Sequence, residues 1–283
     1  MQIPEGSEIF TFELEGQKKY KPGALTCDGL TLVIPTTNKA GETNILSVYH
    51  AKTGVHLYKV TLKYSNYVEI TSVIAMPTEP SQIGVVDPGK GIIYDIKKKS
   101  VVKQVNKWNG IVNPSGRYGL YAPTRGGLEI LTLTKGSEKN NTRTLIPKVA
   151  EGVFNVKCMF TKNDRHVVYY HEGHRTIRVF RISDCKQLAH YKCHAEVNVI
   201  VGTAGGSHLM LGAVDGSFVM LTIADPIDED SKEILRCLPS RNTVADSNVA
   251  LSSNGFSLGS QLVAAKVVAK ARAVKGSRAC VIQ

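Results

Sequence analysis

The sequence predicts an all-β protein with the architecture of a β-propeller, in which four-stranded sheets are arranged around an axis. Three observations predict this fold. Runs of five to seven residues rich in Val, Ile, Thr and Tyr are separated by Gly, Pro, Asn and Asp, as in short strands joined by turns. No segment before residue 230 keeps a helical period over three turns. One strand–turn–strand unit recurs, and such repetition favours a propeller over a sandwich.

The predicted strands follow one another closely in the first third of the chain. Typical runs are residues 30–35, 45–49, 55–62, 70–76, 83–86 and 92–96. Many of these runs alternate apolar with polar residues, and others are apolar on both faces. The first pattern is typical of a half-buried strand and the second of a strand buried on both sides, so we expect both faces of the sheets to be packed.

The recurring unit sets the predicted number of blades. Each copy has an aliphatic or aromatic anchor residue near the end of a strand; the anchors are Tyr49, Tyr94, Leu131, Phe180 and Leu221. Successive anchors are 45, 37, 49 and 41 residues apart, and a period of this length accommodates four strands. We therefore predict five blades. They cover residues 24–62, 69–105, 108–147, 154–192 and 196–223.

The residue pairs at the ends of these strands carry a family resemblance. The anchor pairs are Tyr49-His50, Tyr94-Asp95 and Phe180-Arg181, each before a polar turn. Over residues 24–226 this pattern resembles WD40 repeats, in which an aliphatic run ends in Trp-Asp. Cys193-His194 stands where such repeats often carry Gly-His, and Asp215-Gly216 stands at the tight turn between inner strands. The resemblance implies a WD40-like propeller whose Asp–His–Ser/Thr–Trp hydrogen-bond network is incomplete, because most Trp-Asp pairs are lost.

A second resemblance is confined to the later repeats. Residues 152–226 are similar to the propeller half of the NACHT and WD-repeat domain-containing proteins. Residues 190–197, 212–216 and 221–226 carry this likeness. The nucleotide-binding half of those proteins has no counterpart in this sequence.

The last predicted blade lacks an obvious fourth strand. The strand-like segment 9–14 is expected to supply it, because propellers often share one blade between the two chain ends and because closure removes unpaired sheet edges. A closed ring of five blades fits the spacing. A fragment of a seven-bladed or double propeller fits it as well.

The composition excludes several classes of protein. Hydrophobic residues make up 42% and charged residues 21% of the chain, as in ordinary soluble globular proteins. The N-terminus has neither the basic segment nor the apolar core of a signal peptide, and no apolar run approaches the roughly 18 residues of a membrane span. The six cysteines are irregularly spaced, so they predict no disulfide framework. We expect a cytoplasmic, reducing environment.

Several motifs match catalytic or metal sites only in part. Residues 84–91 fit a phosphate-binding loop up to Lys90, but Gly91 replaces the required Ser or Thr and a strand follows; a hairpin is the better interpretation. His171 and His174 do not have the zinc-protease spacing. Residues 255–259 match Gly-x-Ser-x-Gly, but no Asp, Glu or His follows Ser257. We therefore predict no catalytic residue, no cofactor and no metal.

The C-terminal region carries the clearest functional motif. The last four residues, Cys280-Val281-Ile282-Gln283, match the prenylation pattern, in which a final Gln favours farnesyl. Five basic residues precede it: Lys266, Lys270, Arg272, Lys275 and Arg278. We predict a propeller over residues 1–230, a flexible linker over 231–260 and a basic tail over 261–283, with a short helix at 261–274.

These features predict a non-enzymatic scaffold that binds other proteins. We expect it to lie peripherally at the cytoplasmic face of a membrane, held by a prenylated Cys280 and the basic tail. We expect no nucleic-acid partner, because the basic run 97–99 fits a solvated hairpin and the aromatic residues fall on strands. The alternative is a soluble propeller fragment of a larger signalling or assembly protein with an unmodified tail. A third possibility, a propeller enzyme, would need polar residues gathered at the central channel. The positions of the six His between His166 and His208 decide whether such a cluster exists.

Overall fold

The structure, a computed structural model, describes residues 21–37, 44–62, 70–87, 90–123, 127–134, 142–147, 156–236 and 262–265. In this part of the chain, 20 strands form five four-stranded sheets, which we call blades 1 to 5. Blade 1 contains β1 (Ala24–Leu25), β2 (Thr31–Thr36), β3 (Ile45–His50) and β4 (His56–Thr61). Blade 2 contains β5 (Ser72–Ala75), β6 (Gln82–Asp87), β7 (Lys90–Asp95) and β8 (Ser100–Asn106). Blade 3 contains β9 (Ile111–Val112), β10 (Tyr118–Tyr121), β11 (Leu128–Thr132) and β12 (Thr142–Ile146). Blade 4 contains β13 (Val156–Phe160), β14 (His166–His171), β15 (Thr176–Arg181) and β16 (Gln187–Lys192). Blade 5 contains β17 (Val197–Gly202), β18 (His208–Ala213), β19 (Phe218–Ile223) and β20 (Leu262–Ala265).

The predicted all-β propeller with five blades is confirmed. Within each blade the strands are hydrogen-bonded in chain order, and neighbouring strands are antiparallel. The turns between the first and second strands and between the third and fourth strands therefore lie at one end, which we call the lower end. The turns between the second and third strands, and the connections to the next blade, lie at the upper end.

The fourth strand of blade 5 corrects two predictions. It is β20, which pairs antiparallel with β19, so the strand-like segment 9–14 does not hold this position. The helix predicted over 261–274 is also wrong at residues 262–265, which are extended. Pairing with β19 satisfies backbone groups that would otherwise form an open sheet edge, and this outweighs the apolar periodicity. Segment 9–14 itself and the remainder of the predicted helix lie outside the described residues.

One helix, α1 (Glu229–Arg236), lies in the region where we predicted the end of the propeller and the start of the linker. The chain turns into it through Asp228, whose backbone carbonyl accepts a hydrogen bond from Ser231 N at 3.0 Å. Glu229 in its first turn and Arg236 in its last turn complement the helix dipole. Among the described residues, no helix has the length and apolar character needed to cross a bilayer.

The lower-end turns repeat a six-residue design that the sequence prediction missed. In blades 1, 3, 4 and 5 the first turn residue accepts a side-chain hydrogen bond from the backbone N–H five residues later; these first residues are Thr26, Asn113, Thr161 and Thr203. The fourth turn residue is left-handed in all four; these are Gly29, Gly116, Asp164 and Gly206, with φ between 59° and 73°. Gly and Asp tolerate that backbone conformation better than most residues, so Thr or Asn followed three positions later by Gly or Asp is the signal for this turn.

The core lies between the blades. Four clusters of buried apolar side chains join blade 1 to 2, 2 to 3, 3 to 4 and 4 to 5. Among the described residues no fifth cluster joins blade 5 to blade 1. Each blade therefore has a forward face, directed at the next blade, and a backward face, directed at the preceding one.

Trp108 occupies the joint between blades 2 and 3. Its indole is fully buried, and Nε1 donates a hydrogen bond to the Ile111 carbonyl at 3.1 Å. The ring lies against Gly84 and Gly91 of blade 2, where an added Cβ would overlap the indole. The two glycines therefore leave a recess in the forward face of blade 2 that only a large, flat side chain fills.

A repeated polar contact reinforces three of the joints. Tyr58, Lys103 and Arg143 occupy equivalent positions on the fourth strands of blades 1, 2 and 3. Each side chain donates to a carbonyl near the end of the third strand of the next blade: Tyr58 to Ile96 at 2.5 Å, Lys103 to Thr132 at 3.0 Å and Arg143 to Ile182 at 2.7 Å. The equivalent residue of blade 4 is Ala189, whose side chain has no donor; at the joint between blades 4 and 5 Lys157 Nζ of blade 4 donates instead to the Val197 and Asn198 carbonyls of blade 5, at 2.7 Å each.

Candidate interaction surface at the upper end of blades 4 and 5

The topology brings five polar side chains of blades 4 and 5 to one end of the molecule. His171 ends β14, His174 lies in the turn to β15, and His194 lies in the connection to blade 5. Asp215 and Ser217 lie in the turn between β18 and β19. All of these segments belong to the upper end, and we call the five residues the upper cluster.

The turn of blade 4 stacks two imidazoles. The ring centroids of His171 and His174 are 4.4 Å apart, at an angle of 30°. The His174 N–H donates to His171 Nδ1 at 3.2 Å, and the His174 carbonyl accepts from Lys192 Nζ at 2.6 Å. Partial burial lowers the pKa of His171, and the neighbouring His174 lowers it further. His171 is therefore a neutral, oriented imidazole near neutral pH.

The second half of the cluster is a network of His194, Asp215 and Ser217. The Ser217 hydroxyl donates to Asp215 Oδ1 at 2.6 Å, and the Ser217 N–H donates to the same oxygen at 2.9 Å. His194 Nε2 lies 3.1 Å from Ser217 Oγ and 3.3 Å from Asp215 Oδ2. The hydrogen bonds from Ser217 lower the pKa of Asp215, and His194 adds to this effect. Asp215 is therefore ionised and available as an acceptor at neutral pH.

This network contains the residue types of a catalytic triad but not its arrangement. In a triad the acid orients the imidazole through Nδ1 while Nε2 accepts the serine proton. Here Ser217 and Asp215 both face Nε2, and the Ser217 hydroxyl donates its hydrogen bond to Asp215 and not to the imidazole. His194 and Asp215 are also about half exposed. The geometry therefore provides hydrogen-bonding groups for a partner and does not activate a nucleophile.

The six histidines between His166 and His208 do not converge. His166 is buried at the lower end, His190 is exposed on the outer strand of blade 4, and His208 begins β18 at the lower end of blade 5. The other three belong to the upper cluster. Within the described ranges, no group of three or more His, Cys, Asp or Glu side chains is arranged to hold a metal ion.

Two thiols near these histidines differ in burial: Cys193 is buried and Cys158 is half-buried. Burial raises the pKa of Cys158 to about 12 and that of Cys193 to about 11. Since the thiolate is the form that binds metals and attacks electrophiles, neither thiol is activated, and both pack against apolar residues of the core.

A buried charged group adds a further polar contact between blades 4 and 5. Asp225, just after β19, accepts from Arg181 Nε at 2.8 Å and from Arg181 NH2 at 2.5 Å. His166 Nε2 lies 3.1 Å from the same carboxylate, and the side chains of His166 and Asp225 are 2% and 4% exposed. Arg181 stands at the Asp position of the Trp-Asp pattern. Arg181 and His166 on strands of blade 4 are thus joined to Asp225 on the segment that leaves blade 5, so we assign these three residues a structural role.

The other motifs of the sequence fall into two groups. Residues 84–87 and 90–91 lie on the paired strands β6 and β7, with Gly91 beneath Trp108 and strand β7 continuing to Asp95, so the hairpin interpretation is confirmed. Lys97 to Lys99 form an exposed turn in which Asp95 accepts from the N–H groups of Lys97 and Lys98, also as predicted. Residues 255–259, Cys280 to Gln283 and the five basic residues of the tail lie outside the described residues.

Comparisons with known proteins agree with the fold. The family model described as NWD2 C-terminal beta-propeller matches residues 1–223. No curated protein matches the sequence. Among solved structures, the crystal structure of the Myceliophteria thermophila Cps50 (Swd1) beta-propeller domain is similar with a TM-score of 0.56 and 13% identity, over 75% of this chain and 68% of that chain. At this identity the likeness shows the fold alone.

Proposed function

The chain belongs to the NWD2 C-terminal beta-propeller family, and from this premise we propose that it is a non-enzymatic scaffold for protein–protein interaction. The observation that carries the proposal is the upper cluster. His174, His194 and Asp215 are exposed and His171 and Ser217 are half-buried; their donors and acceptors are oriented by hydrogen bonds, and they stand on turns between rigid strands. Polar groups fixed in advance lose little entropy when a partner binds, and rigid elements hold a binding site more precisely than long loops do.

The scaffold role is tested by comparing two variants in cells. The upper variant carries His174→Ala, His194→Ala and Asp215→Ala, and the lower variant carries Lys97→Ala and Lys98→Ala in the exposed turn of blade 2. We expect the upper variant to lose bound proteins that the wild type and the lower variant retain. A partner identified in this way and purified should bind the upper variant at least about tenfold more weakly, as expected when central contacts are removed. Equal binding by the two variants would contradict the proposal.

We propose, as a finer part of the same function, that the scaffold is held peripherally at the cytoplasmic face of a membrane. The support is the sequence motif Cys280-Val281-Ile282-Gln283 together with the basic residues before it. A single lipid chain gives only marginal membrane binding, so a basic segment is the usual second signal. This part of the proposal requires Gln283 to be the C-terminal residue in the cell.

Farnesylation predicts a defined mass change. Protein isolated from eukaryotic cells should carry one farnesyl group on Cys280, and Cys280→Ser should remove both the added mass and the membrane-bound fraction. Intact-mass spectrometry and cell fractionation measure the two effects. The exposed Cys27 on blade 1 is the internal control, because it reports nonspecific thiol modification in the same spectra. An unmodified Cys280 would favour the alternative, a soluble propeller with a free tail.

The basic residues predict a dependence on lipid charge. Changing Lys266, Lys270, Arg272, Lys275 and Arg278 to Gln in already farnesylated protein should weaken binding to vesicles that contain phosphatidylserine, because each charge contributes up to about 1 kcal/mol near an anionic surface. Added salt should weaken wild-type binding in the same way. Vesicle sedimentation measures both. If the two proteins bind equally, the basic residues have no part in anchoring.

A further inference from the structure

The forward faces of blades 1 to 4 are completely covered. Strand register defines equivalent positions: Val33, Leu120, Val168 and Met210 lie on the second strands of blades 1, 3, 4 and 5, opposite Val48, Ile130, Val179 and Met220 on the third strands. In blades 1, 3 and 4 each of these residues is at most 1% exposed. In blade 2 the second-strand position is Gly84, and the Trp108 indole covers it.

Blade 5 has the same apolar forward face without a cover. Met210 is 49% exposed and Met220 is 40% exposed. Phe218, whose counterpart Ile177 in blade 4 is fully buried, is 67% exposed. Val199 and Val201 on β17 are 54% and 51% exposed. An apolar residue exposed alone is ordinary, but these five belong to one sheet face.

The five side chains form a continuous patch. Val201, Met210 and Met220 are direct cross-strand neighbours, one on each of β17, β18 and β19. Val199 and Phe218 flank Gly212 in the adjacent row, and both come within 4 Å of the position of a Cβ at Gly212. Cross-strand neighbours on one face point to the same side of the sheet. A contiguous apolar patch of this kind marks an interaction surface.

The repeated packing of the chain identifies what fits this patch. At all four joints a forward face packs on the apolar backward face of another four-stranded blade. Blade 1 of the same molecule or of a second copy does not offer such a face, because Ile34, Ser47 and Tyr49 on its backward side are already buried. The match to the Cps50 (Swd1) propeller domain covers 68% of that chain.

We propose that the forward face of blade 5 is the docking surface for a further four-stranded blade, supplied by polypeptide other than residues 1–283. The docked blade presents an apolar backward face to Met210, Phe218 and Met220, as blade 5 presents Leu209, Leu211 and Leu221 to blade 4. The inference is independent of the upper cluster, which lies at the end of the blades and not on this face.

Cysteine labelling tests whether the face is covered in the cell. Met210→Cys should react with a maleimide in the purified chain of residues 1–283 but at least about tenfold more slowly in the assembly isolated from cells, because a covered site reacts only when it opens. The exposed native Cys27 on blade 1 is the internal reference, and its rate should be the same in both samples. Equal labelling of position 210 in the two samples would overturn the proposal.

Photo-cross-linking identifies the occupant. With p-benzoylphenylalanine in place of Phe218, we expect cross-links to a strand-like, aliphatic sequence outside residues 1–283. Cross-links to residues 197–223 of a second copy would overturn the proposal in favour of a face-to-face dimer, and cross-links to lipid would overturn it in favour of a membrane contact. Loss of upper-cluster partners would leave these results unchanged, so the two proposals fail separately.

A polar substitution gives a second, structural test. Phe218→Glu should leave the melting temperature of the chain of residues 1–283 unchanged, because the side chain is 67% exposed there. It should abolish the protection of Met210→Cys in the cellular assembly, since the charge would be buried without a partner. Val55→Glu, at a position 56% exposed in blade 1, is the matched control. Retained protection in the Phe218 variant would contradict the proposal.

Discussion

Trp108→Ala is expected to lower the free energy of unfolding by about 3–5 kcal/mol, as removal of a fully buried Trp does. The indole fills the recess above Gly84 and Gly91 and donates to the Ile111 carbonyl. Its loss leaves a cavity and removes the indole hydrogen bond to that carbonyl. Glycines cannot collapse into that space with side chains, so little of the cavity should be refilled.

Two variants separate the loss of volume from other effects of changing Trp108. Trp108→Phe should cost less than Trp108→Ala, because most of the recess stays filled. Gly91→Ala should destabilise by about 1–3 kcal/mol through overpacking against the same ring. Urea denaturation followed by circular dichroism measures all three, because fluorescence is lost with the only Trp of the chain. Equal stability of Trp108→Ala and wild type would show that blades 2 and 3 do not depend on this contact.

Asp225→Ala is expected to cost about 3–5 kcal/mol, the usual result of removing one member of a buried ion pair. The substitution leaves the Arg181 guanidinium, whose side chain is 11% exposed, without its buried carboxylate. It also removes the hydrogen-bond partner of His166. The joint between blades 4 and 5 then keeps its hydrogen bonds from Lys157 and to Tyr170 but loses its buried ion pair.

The matched control uses the second carboxylate on the same guanidinium. Asp184 lies 2.7 Å from Arg181 NH1, but its side chain is 41% exposed. Asp184→Ala should therefore cost less than about 1 kcal/mol, as exposed ion pairs do. Thermal unfolding of the two variants gives the comparison. If Asp184→Ala and Asp225→Ala lose similar amounts of stability, burial of the Arg181–Asp225 ion pair is not the reason for its contribution.

The pKa shifts of Asp225 and His166 predict how the stability of the protein responds to acid. Burial alone would raise the pKa of Asp225, but the hydrogen bonds from Arg181 and His166 hold it at about 2. Its contribution is therefore present above an unfolded pKa of about 3.9 and is lost as the pH falls toward 2. Burial lowers the pKa of His166, so its contribution is present above an unfolded pKa of about 6.5 and is lost as the pH falls below that value. Between pH 4 and pH 2 the Asp225→Ala variant should therefore lose less of its free energy of unfolding than the wild type does.

The sequence predicted the blades because their strands repeat locally. The anchors Tyr94, Leu131 and Phe180 lie on third strands in the structure, and the period between them is a property of the chain alone. The upper cluster was only partly visible: the His171–His174 pair was noticed as a motif, but the contacts of His194 with Asp215 and Ser217 were not. Those contacts depend on where the connection between blades 4 and 5 lies relative to the β18–β19 turn, which a one-dimensional pattern does not contain.

The contacts that were missed join residues distant in sequence. His166 and Asp225 are 59 residues apart, and nothing near either residue marks the other as its partner. The role of Trp108 depends on two glycines of blade 2, which in sequence read as parts of a phosphate-binding loop. β20 was missed because residues 262–265 are too few to distinguish a strand from a helical turn without the edge of β19. The lower-end turns could have been predicted from the sequence. Each has Thr or Asn followed three positions later by Gly or Asp, and this pattern is local.

The arrangement of the four core clusters has a consequence for how the molecule opens. Blades 2, 3 and 4 each pack on two described neighbours, whereas blade 1 packs on blade 2 only and blade 5 on blade 4 only. In such a linear array stability is a sum of unit and nearest-neighbour terms, so the two end blades have the lowest opening free energies. Amide hydrogens of β18 and β19 in blade 5 should therefore exchange before those of β6 and β7 in blade 2, and unfolding spreads from the end blades toward the Trp108 joint.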